Sequence, residues 1–492
     1  MNVSLSPTGK LRFFRSKWIR RLGMALIFLI TLFFLIHAVE NWRGSRAWAH
    51  TLDELAASGA ELDLVKLLPP PVPDEDNISM HPAFRCFMFT QSDGTRTMRL
   101  AGDPVDAADA AMVAQWDSFR QWMGARQSPY REMVDMLKKE GRRKSAMTPA
   151  MTEFLQGLAP HLPLFEQITG ALERPSCRWP GMGSRHRISD IWQTSHDASP
   201  ESSIVKVNNV MRCLAVQAAL EGDMEAALRE AGQAGDLRRV IHGQGNLLTF
   251  LIDAFLLDSE VDLMGNALRH IPARSANYLA AADRLSKRPS IFEQHQAVMI
   301  RERVWAIAVG SAMLDSGELA VLMGGITTRI SIGIQQKIGR AIFPDGWEKQ
   351  VLAAQLRLLS ERIKAHDPAL APLERIARET ASLDSARQAF APYRPVDSGI
   401  ADFAAGLLKK DIRRALMQVA LLAAHVRSAT GKVPGSVAEF PAELAVKLPS
   451  SPVDGASPLV GRDTEGAWTV TYPGMERLPR EGGEVVIRMP GW

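Results

Sequence analysis

Residues 22–39 read LGMALIFLITLFFLIHAV. This stretch contains no acidic side chain, no lysine and no arginine. Because a helix rises about 1.5 Å per residue, the stretch would be about 27 Å long, close to the hydrocarbon thickness of a bilayer. We therefore predict a transmembrane helix over residues 22–39, through which the chain contacts a lipid bilayer.

The charges on the two sides of this segment predict its orientation. Every charged residue before it is basic, whereas Glu40 follows it directly, and Trp18 and Trp42 stand near its two ends. The basic residues are Lys10, Arg12, Arg15, Lys17, Arg20 and Arg21. Positive flanks remain in the cytoplasm and tryptophan favours the membrane interface. We expect residues 1–21 to be cytoplasmic and the bulk of the chain to be extracytoplasmic, at the cytoplasmic (inner) membrane.

A cleaved signal peptide is the alternative interpretation of the same segment. Ala47-Trp48-Ala49 imitates the small-x-small pattern of a cleavage site. However, the apolar run is longer than the usual hydrophobic core of a signal peptide, and Arg43 and Arg46 separate it from Ala49. These features favour an uncleaved signal-anchor and a single-pass protein.

The composition is that of a folded protein with several domains. The chain has 492 residues, of which 46% are hydrophobic and 23% charged. At about 100–200 residues each, it holds roughly two to four domains. The net charge is only +4, and the remainder is near neutral without the basic N-terminal segment, so a nucleic-acid-binding surface is not indicated. Cys86, Cys177 and Cys213 form no C-x-x-C motif, which argues against a thiolate zinc site; they are buried thiols or include one disulfide.

The region after the apolar segment divides at proline-rich stretches. Residues 40–77 combine a juxtamembrane helix with a stiff spacer, because consecutive prolines cannot continue a helix. Residues 78–203 are a mixed, mostly helical region that ends in a long loop. The elements predicted here are helices over 42–65, 109–137 and 148–170, short strands near 87–89 and 97–100, and a loop over 172–203.

The middle of the chain shows the strongest helical periodicity. Val207, Val210 and Met211 lie on one apolar face, and Glu221-Gly222-Asp223 predicts a turn into an alanine-rich second helix. We predict an α-helical bundle of hairpins over 204–430. Its further helices are expected at 247–257, 275–286, 291–315, 317–342, 345–365, 370–391 and 398–430. The predicted fold class is therefore mainly α.

The last part of the chain, residues 431–492, has a different pattern. Proline and glycine become frequent, and apolar residues alternate with period two over 468–472 and, less regularly, over 485–489. Such alternation is typical of half-buried strands. We predict a small C-terminal β unit with two strands.

Three short stretches resemble those of a known family. They are ENWRGSRAW at 40–48, PPPVPDEDN at 69–77 and RPSCRWP at 174–180. They resemble membrane-anchored, uncharacterised proteins of planctomycete and verrucomicrobial bacteria. In that family the R-G-x-R-A-W stretch directly follows the apolar run, so the resemblance implies an uncleaved anchor in a bacterial envelope and no catalytic residue.

The C-terminal stretch carries a second pattern, with GKVP at 431–434, LP at 448–449, PVDG at 452–455 and YPG at 472–474. It is similar to the terminal module of type II secretion pseudopilins. In that module a helix ends in a G-x-Y-P turn, and L-P-x-D-P and a short sheet follow. Here Val433 replaces the aromatic residue, Ser451 replaces the aspartate, and the anchor lacks the prepilin cleavage motif. The resemblance implies a secretion-system or pilus-like assembly component as an alternative function.

Ser203-Ile204-Val205-Lys206 matches S-x-x-K, in which the lysine amine deprotonates a serine nucleophile. Ser275-Ala276-Asn277 imitates the accompanying S-x-N motif. An envelope acyl hydrolase or transferase that uses Ser203 and Lys206 is therefore another alternative. The pattern has two fixed positions and no K-T-G motif follows it, so a solvated helix start explains it equally simply.

Histidine and acidic residues occur together at two places. His186, Asp190, His196 and Asp197 share the predicted loop, and Glu293, His295 and Glu302 share one predicted helix. Helical metal ligands use i, i+3 or i+4 spacing, whereas Glu293 and His295 are two residues apart and diverge. We therefore predict no metal ligands and no cofactor.

These patterns favour a membrane-anchored extracytoplasmic interaction or scaffold protein. A tether and a helical body are present, but no acid–base or metal set accompanies them. The expected contacts are a lipid bilayer through the N-terminal helix and an envelope protein partner, with no nucleic acid.

Overall fold

The structure is a computed structural model that describes residues 17–67, 70–85, 90–92, 95–97, 107–124, 149–178, 200–242, 247–270, 277–316, 345–389, 401–475, 478 and 485–489. Helices dominate these ranges. In chain order they are α1 (Lys17–Ala57), α2 (Pro82–Arg85), α3 (Ala107–Gly124), α4 (Pro149–Leu158), α5 (Leu162–Ala171), α6 (Pro200–Glu221), α7 (Met224–Asp236), α8 (Arg238–Ile241), α9 (Leu247–His270), α10 (Tyr278–Ser286), α11 (Ile291–Ser316), α12 (Asp345–Ala365), α13 (Pro372–Ala389), α14 (Ala401–Thr430) and α15 (Ala442–Ala445). The strands are β1 (Thr90–Ser92), β2 (Thr95–Thr97), β3 (Leu459–Arg462), β4 (Trp468–Thr471) and β5 (Ile487–Met489).

The chain divides into two compact units. The first unit combines Met1–Leu62 with Ala306–Leu359, and the second combines Asp63–Trp305 with Ser360–Trp492. The boundaries fall inside α11 and α12. This division differs from the predicted boundaries at 40–77, 78–203 and 204–430, because parts of two distant helices belong with the N-terminal helix.

In the first unit, α1 runs without interruption from the apolar segment to Ala57. None of the most apolar part of this helix is buried. Within the described ranges, it is the one helix that is long and apolar enough to cross a membrane. The second half of α1 has a different environment, since Leu55 packs with Ile307 and Leu356, and Trp48 and Leu52 lie against this small core.

The hairpin of α6 and α7 shows how the local sequence builds the second unit. Gly222 has φ +88, which an L side chain rarely adopts, and it reverses the chain after α6. The N–H of Asp223 donates to the Ala218 carbonyl at 2.9 Å, and the Asp223 carboxylate accepts from the N–H of Ala226 at 2.9 Å. One aspartate thus closes α6 and caps α7.

A large apolar core joins this hairpin to α9, α10 and α14. In α14 the residues from Ala415 to Ala424 are all buried. The buried Arg288 is paired with two carboxylates: it contacts Glu260 at 2.8 Å and Asp236 at 2.7 Å. Buried charges require such partners.

Two of the stretches that carry the first family resemblance contact each other. Asn77 and Ser176 form a parallel bridge. The Asn77 side-chain amide donates to the Arg178 carbonyl at 2.8 Å, and its oxygen accepts from the Arg178 N–H at 2.8 Å. Arg174 also donates to the carbonyl oxygens of Asp74 and Asn77. These hydrogen bonds therefore connect two stretches that lie far apart in the sequence.

The C-terminal part packs on α14 through a three-stranded antiparallel sheet with the order β3-β4-β5. One indole and one phenol attach this part of the chain to proline residues that precede the sheet in the sequence. Trp468 Nε1 donates to the Pro434 carbonyl at 2.8 Å, and the Tyr472 hydroxyl donates to the Pro449 carbonyl at 2.8 Å. Pro434 and Pro449, which belong to the proline-containing stretches, thus accept hydrogen bonds from side chains in and beside β4.

The predicted fold class, mainly α with a small C-terminal β unit, is confirmed. Three element boundaries were wrong: the juxtamembrane helix ends at Ala57 and not at residue 65, the helix at 247–257 continues to His270, and α6 begins at Pro200 inside the predicted loop. The strand β3 was not predicted. The predicted strand at 87–89, most of that at 97–100, and the helix at 317–342 lie outside the described residues.

Candidate functional site

The candidate site is a buried cluster in the second unit that consists of His295, Arg362, His366 and Glu379, which we call the His-Glu cluster. The hairpin of α12 and α13 supplies three of its members. Arg362 lies in the last turn of α12, and the N–H of His366 donates to the Arg362 carbonyl at 3.1 Å, so both side chains leave the same face. Glu379 faces them from α13.

Arg375 fixes the connection between these two helices. Its guanidinium donates to the carbonyl oxygens of Pro368 and Leu370, at 2.7 and 2.8 Å, and therefore spans the loop. The same side chain pairs with Glu293 of α11 at 2.7 Å. Because Glu379 lies four residues after Arg375, this arrangement places the Glu379 carboxylate beside α11.

The Glu379 carboxylate is the centre of the cluster. Arg362 donates to Oε1 from Nε at 2.8 Å and from Nη2 at 2.6 Å. His366 Nε2 lies 2.7 Å from Oε2, and His295 Nε2 lies 3.5 Å from Oε1. The two imidazoles contact edge to face, with ring centroids 4.4 Å apart. His295 is 0% and Glu379 1% exposed, so solvent does not reach the centre of the cluster.

Aromatic rings surround both histidines. Phe250 and Phe403 lie against His295, with ring centroids 6.1 and 5.4 Å away, and Phe292 lies 5.3 Å from His366. These rings lower the local dielectric constant, which strengthens the interactions of the charges that they enclose.

This environment changes the pKa values of two members. Burial would raise the pKa of Glu379, but hydrogen bonds from both histidines and the charge of Arg362 outweigh it and hold that pKa well below its usual range. Burial lowers the pKa of His295, and Glu379 opposes this only in part. Glu379 is therefore a carboxylate and His295 is neutral at neutral pH. Within the described residues, His295 Nδ1 has no hydrogen-bond partner.

The cluster also contains donor atoms suited to a metal ion. One atom each from His295, His366 and Glu379 lies within 4.8 Å of the other two. Two imidazole nitrogens and one carboxylate oxygen are a ligand set that proteins use for zinc and non-haem iron. The expectation of no metal ligands at His295 considered only neighbours on the same helix, whereas its partners come from α12 and α13.

The structure places the S-x-x-K residues on α6. Ser203 is 0% exposed, and its hydroxyl has no hydrogen-bond partner among the described residues, whereas Lys206 is partly exposed. A serine nucleophile requires its base within hydrogen-bond reach. The described geometry gives the pair no such contact, and a catalytic role for Ser203 and Lys206 stays a prediction.

The other candidate residues are partly described. Glu293 pairs with Arg375, and the Glu302 carboxylate accepts the N–H of Leu247 at 2.9 Å at the start of α9, so these acids hold helices together. Cys177 donates its thiol to the Val240 carbonyl at 3.4 Å, and Cys213 is buried. The loop residues His186, Asp190, His196 and Asp197, together with Ser275, Ala276 and Cys86, lie outside the described residues.

A second feature with functional meaning is the junction between α1 and α12 in the first unit. Gly44 and Gly346 meet so closely that a Cβ atom on either would overlap backbone of the opposite helix. The N–H of Gly346 donates to the Asn41 side chain at 2.8 Å, and Gln350 donates to Glu40 at 2.9 Å. The first turn of α12 therefore contacts α1 at the residues that directly follow its apolar segment.

Comparison with protein-family models, curated proteins and solved structures gave no match to this chain.

Proposed function

We propose that this chain is a single-pass protein of the bacterial inner membrane, with a cytoplasmic N-terminus and an extracytoplasmic helical body that acts as an interaction or scaffold protein. The observation that carries the proposal is the exposed apolar half of α1. Each large apolar side chain gains roughly 1.5–3 kcal/mol when it leaves water. An uncovered helix of such residues is therefore stable in lipid and unfavourable in water.

The charges that flank the span support the proposed orientation. Arg20 and Arg21 are exposed at the N-terminal end, and Glu40 follows the C-terminal end. Trp42 is 62% exposed and follows the apolar segment closely in the sequence, where an interfacial tryptophan would be expected. This arrangement favours a cytoplasmic N-terminus.

The closed interior of the body supports a role in interaction. The side chains of the His-Glu cluster are inaccessible to a substrate, as their burial indicates. A small recess between α6 and α9 is lined by apolar residues such as Val216 and Leu263 and by Asn266, without a titratable group. Enzyme pockets usually have convergent polar groups. Neither feature resembles an active site.

A topology experiment tests the anchor. We expect a C-terminal alkaline phosphatase fusion to be active in intact cells and the chain to resist carbonate extraction. The matched control fuses the same reporter after Arg21, where it should be inactive. An inactive C-terminal fusion, or release of the mature chain from the membrane, would contradict the proposed topology.

A cross-linking experiment tests the interaction role. We expect a tagged full-length chain, cross-linked in intact cells, to retain a defined envelope protein in stoichiometric amount. A tagged fragment ending at Ala57 keeps the span and serves as the control for capture through the membrane alone. Recovery of the chain without a partner would contradict the scaffold role.

The two alternatives have separate tests. A serine-directed covalent probe that labels the wild type but not Ser203→Ala would favour the acyl hydrolase or transferase. Co-fractionation with sheared surface appendages would favour a secretion-system or pilus-like component; the helix-and-sheet packing of α14 with β4 and β5 is the observation behind this test.

A further inference from the structure

We propose that His295, His366 and Glu379 form a binding site for one divalent transition-metal ion of the zinc class. This inference does not depend on the proposed membrane topology or on the interaction role. It rests on three donor side chains that converge within the second unit. His295 lies on α11, His366 directly follows α12, and Glu379 lies on α13.

The distances between the donor atoms are close to those of a metal site. Zinc bonds of about 2.0–2.2 Å in a tetrahedral arrangement put neighbouring ligand atoms roughly 3.3 Å apart. His295 Nε2 is 3.5 Å from one Glu379 oxygen, and His366 Nε2 is 2.7 Å from the other. An ion between the imidazoles and the carboxylate would replace the direct contact of His366 with Glu379 and would move these two side chains apart.

The donor types select the class of ion. Magnesium and calcium take oxygen ligands almost exclusively, whereas imidazole suits zinc, iron, copper and nickel. His295 is fully buried and its Nε2 faces the Glu379 carboxylate, so the donor atom points into the cluster. The set of two histidines and one carboxylate therefore fits a zinc-class ion.

Arg362 determines which oxygen is available. Its two hydrogen bonds engage Oε1 of Glu379, so the ion would bind Oε2 in place of the contact with His366 Nε2. The same bonds fix the orientation of the carboxylate, as outer partners of metal ligands commonly do. The guanidinium also offsets the charge of Glu379, so a divalent ion brings uncompensated positive charge into a buried place. Three protein ligands would leave one coordination position to a ligand from outside the protein, as in other zinc sites with three protein ligands.

A similar group elsewhere in the unit provides an internal control. Arg238 pairs with Asp253 at 2.5 Å, and His242 lies 3.0 Å from the other oxygen of Asp253. This trio repeats the arginine, carboxylate and histidine of the His-Glu cluster but lacks a second imidazole. It offers two donors, and two donors do not hold zinc firmly.

The test measures metal content directly. The full-length chain, purified in detergent with a tag that contains no histidine, is equilibrated with zinc(II), passed over a weak chelating resin and analysed by mass spectrometry for zinc. Cobalt(II) replaces zinc in a parallel sample, because cobalt in a four-coordinate site absorbs strongly in the visible range. The variants are His366→Gln and Glu379→Gln, with His242→Gln as the matched control.

We expect about one equivalent of zinc in the wild type and in His242→Gln, and at least a tenfold loss of affinity in the two cluster variants. Wild type that retains no zinc and shows no visible cobalt absorption would overturn the proposal, as would equal retention in all variants. If circular dichroism shows that a cluster variant has not folded, the cobalt spectrum of the wild type decides the question by itself.

Discussion

His295 is the residue at which burial and charge act most directly on each other. It is fully buried, and the charged or titratable groups that face it are Glu379, His366 and Arg362. The unfolded chain takes up a proton at His295 near the ordinary pKa of 6.5, whereas burial lowers that pKa in the folded chain. Folding therefore favours the neutral imidazole, and this contribution to stability is lost as the pH falls below 6.5 towards the lowered value.

We expect the melting temperature of the chain in detergent with a chelator to decrease between pH 7.5 and pH 5.5. In His295→Gln this decrease should be smaller, since glutamine does not titrate; thermal melts followed by circular dichroism measure it. His50→Gln replaces an exposed histidine and is the control. A variant at residue 295 with the same pH dependence as the wild type would contradict the assignment.

Single residues of this kind could not be predicted from the sequence, because their partners are distant in it. Asp411 is another example: it accepts from the Ser290 hydroxyl at 2.6 Å and from the N–H of Phe292 at 2.9 Å, and so caps α11 from the middle of α14. In the sequence it is one acidic residue on a predicted helix. The sequence contains no local signal for either role.

At the scale of elements, periodicity predicted most helices because it is a local property. The helix α9 shows where this fails: the predicted helix covered the apolar run at 247–257, and the acidic residues Asp258, Glu260 and Asp262 follow that run. In the structure, Asp258 contacts Lys410, Glu260 contacts Arg288 and Asp262 contacts Arg413. Cations from α14 and from the segment between α10 and α11 make these acids compatible with a packed helix that reaches His270.

The crossing of α1 and α12 leads to a prediction about a single glycine. Gly44→Ala places a methyl group where backbone of the Gly346 region now lies, so the first turn of α12 has to move away. We expect faster amide hydrogen exchange at Gly346 and its neighbours, since the Gly346 N–H loses its bond to Asn41. Exchange followed by mass spectrometry in detergent measures it.

Gly23→Ala is the control for this prediction, because nothing lies within 4 Å of a Cβ atom there on the same helix. It should leave the exchange of α12 unchanged. Equal exchange in the wild type and in Gly44→Ala would show that the two helices are not in the close contact described.

At the scale of the whole molecule, the sequence predicted an anchor followed by domains in chain order. The structure instead builds the first unit from α1 and from parts of α11 and α12 that are more than 240 residues further along the chain. Besides the small apolar core around Leu55, the contact depends on two glycines and a few polar side chains. Such residues produce no periodicity, so a division by composition could not detect the interleaved units.

The two halves of α1 should contribute differently to the molecule. The apolar half is exposed, whereas Asn41, Gly44 and Leu55 contact α12 or the core beside it. We therefore expect a chain that begins at Glu40 to leave the membrane fraction and to keep the melting temperature of the wild type. A chain that begins at Ser58 also leaves the membrane but should melt at a lower temperature, because it loses the junction with α12. Sedimentation and thermal melts measure both properties; equal melting of the two shortened chains would show that α1 anchors the protein without stabilising its fold.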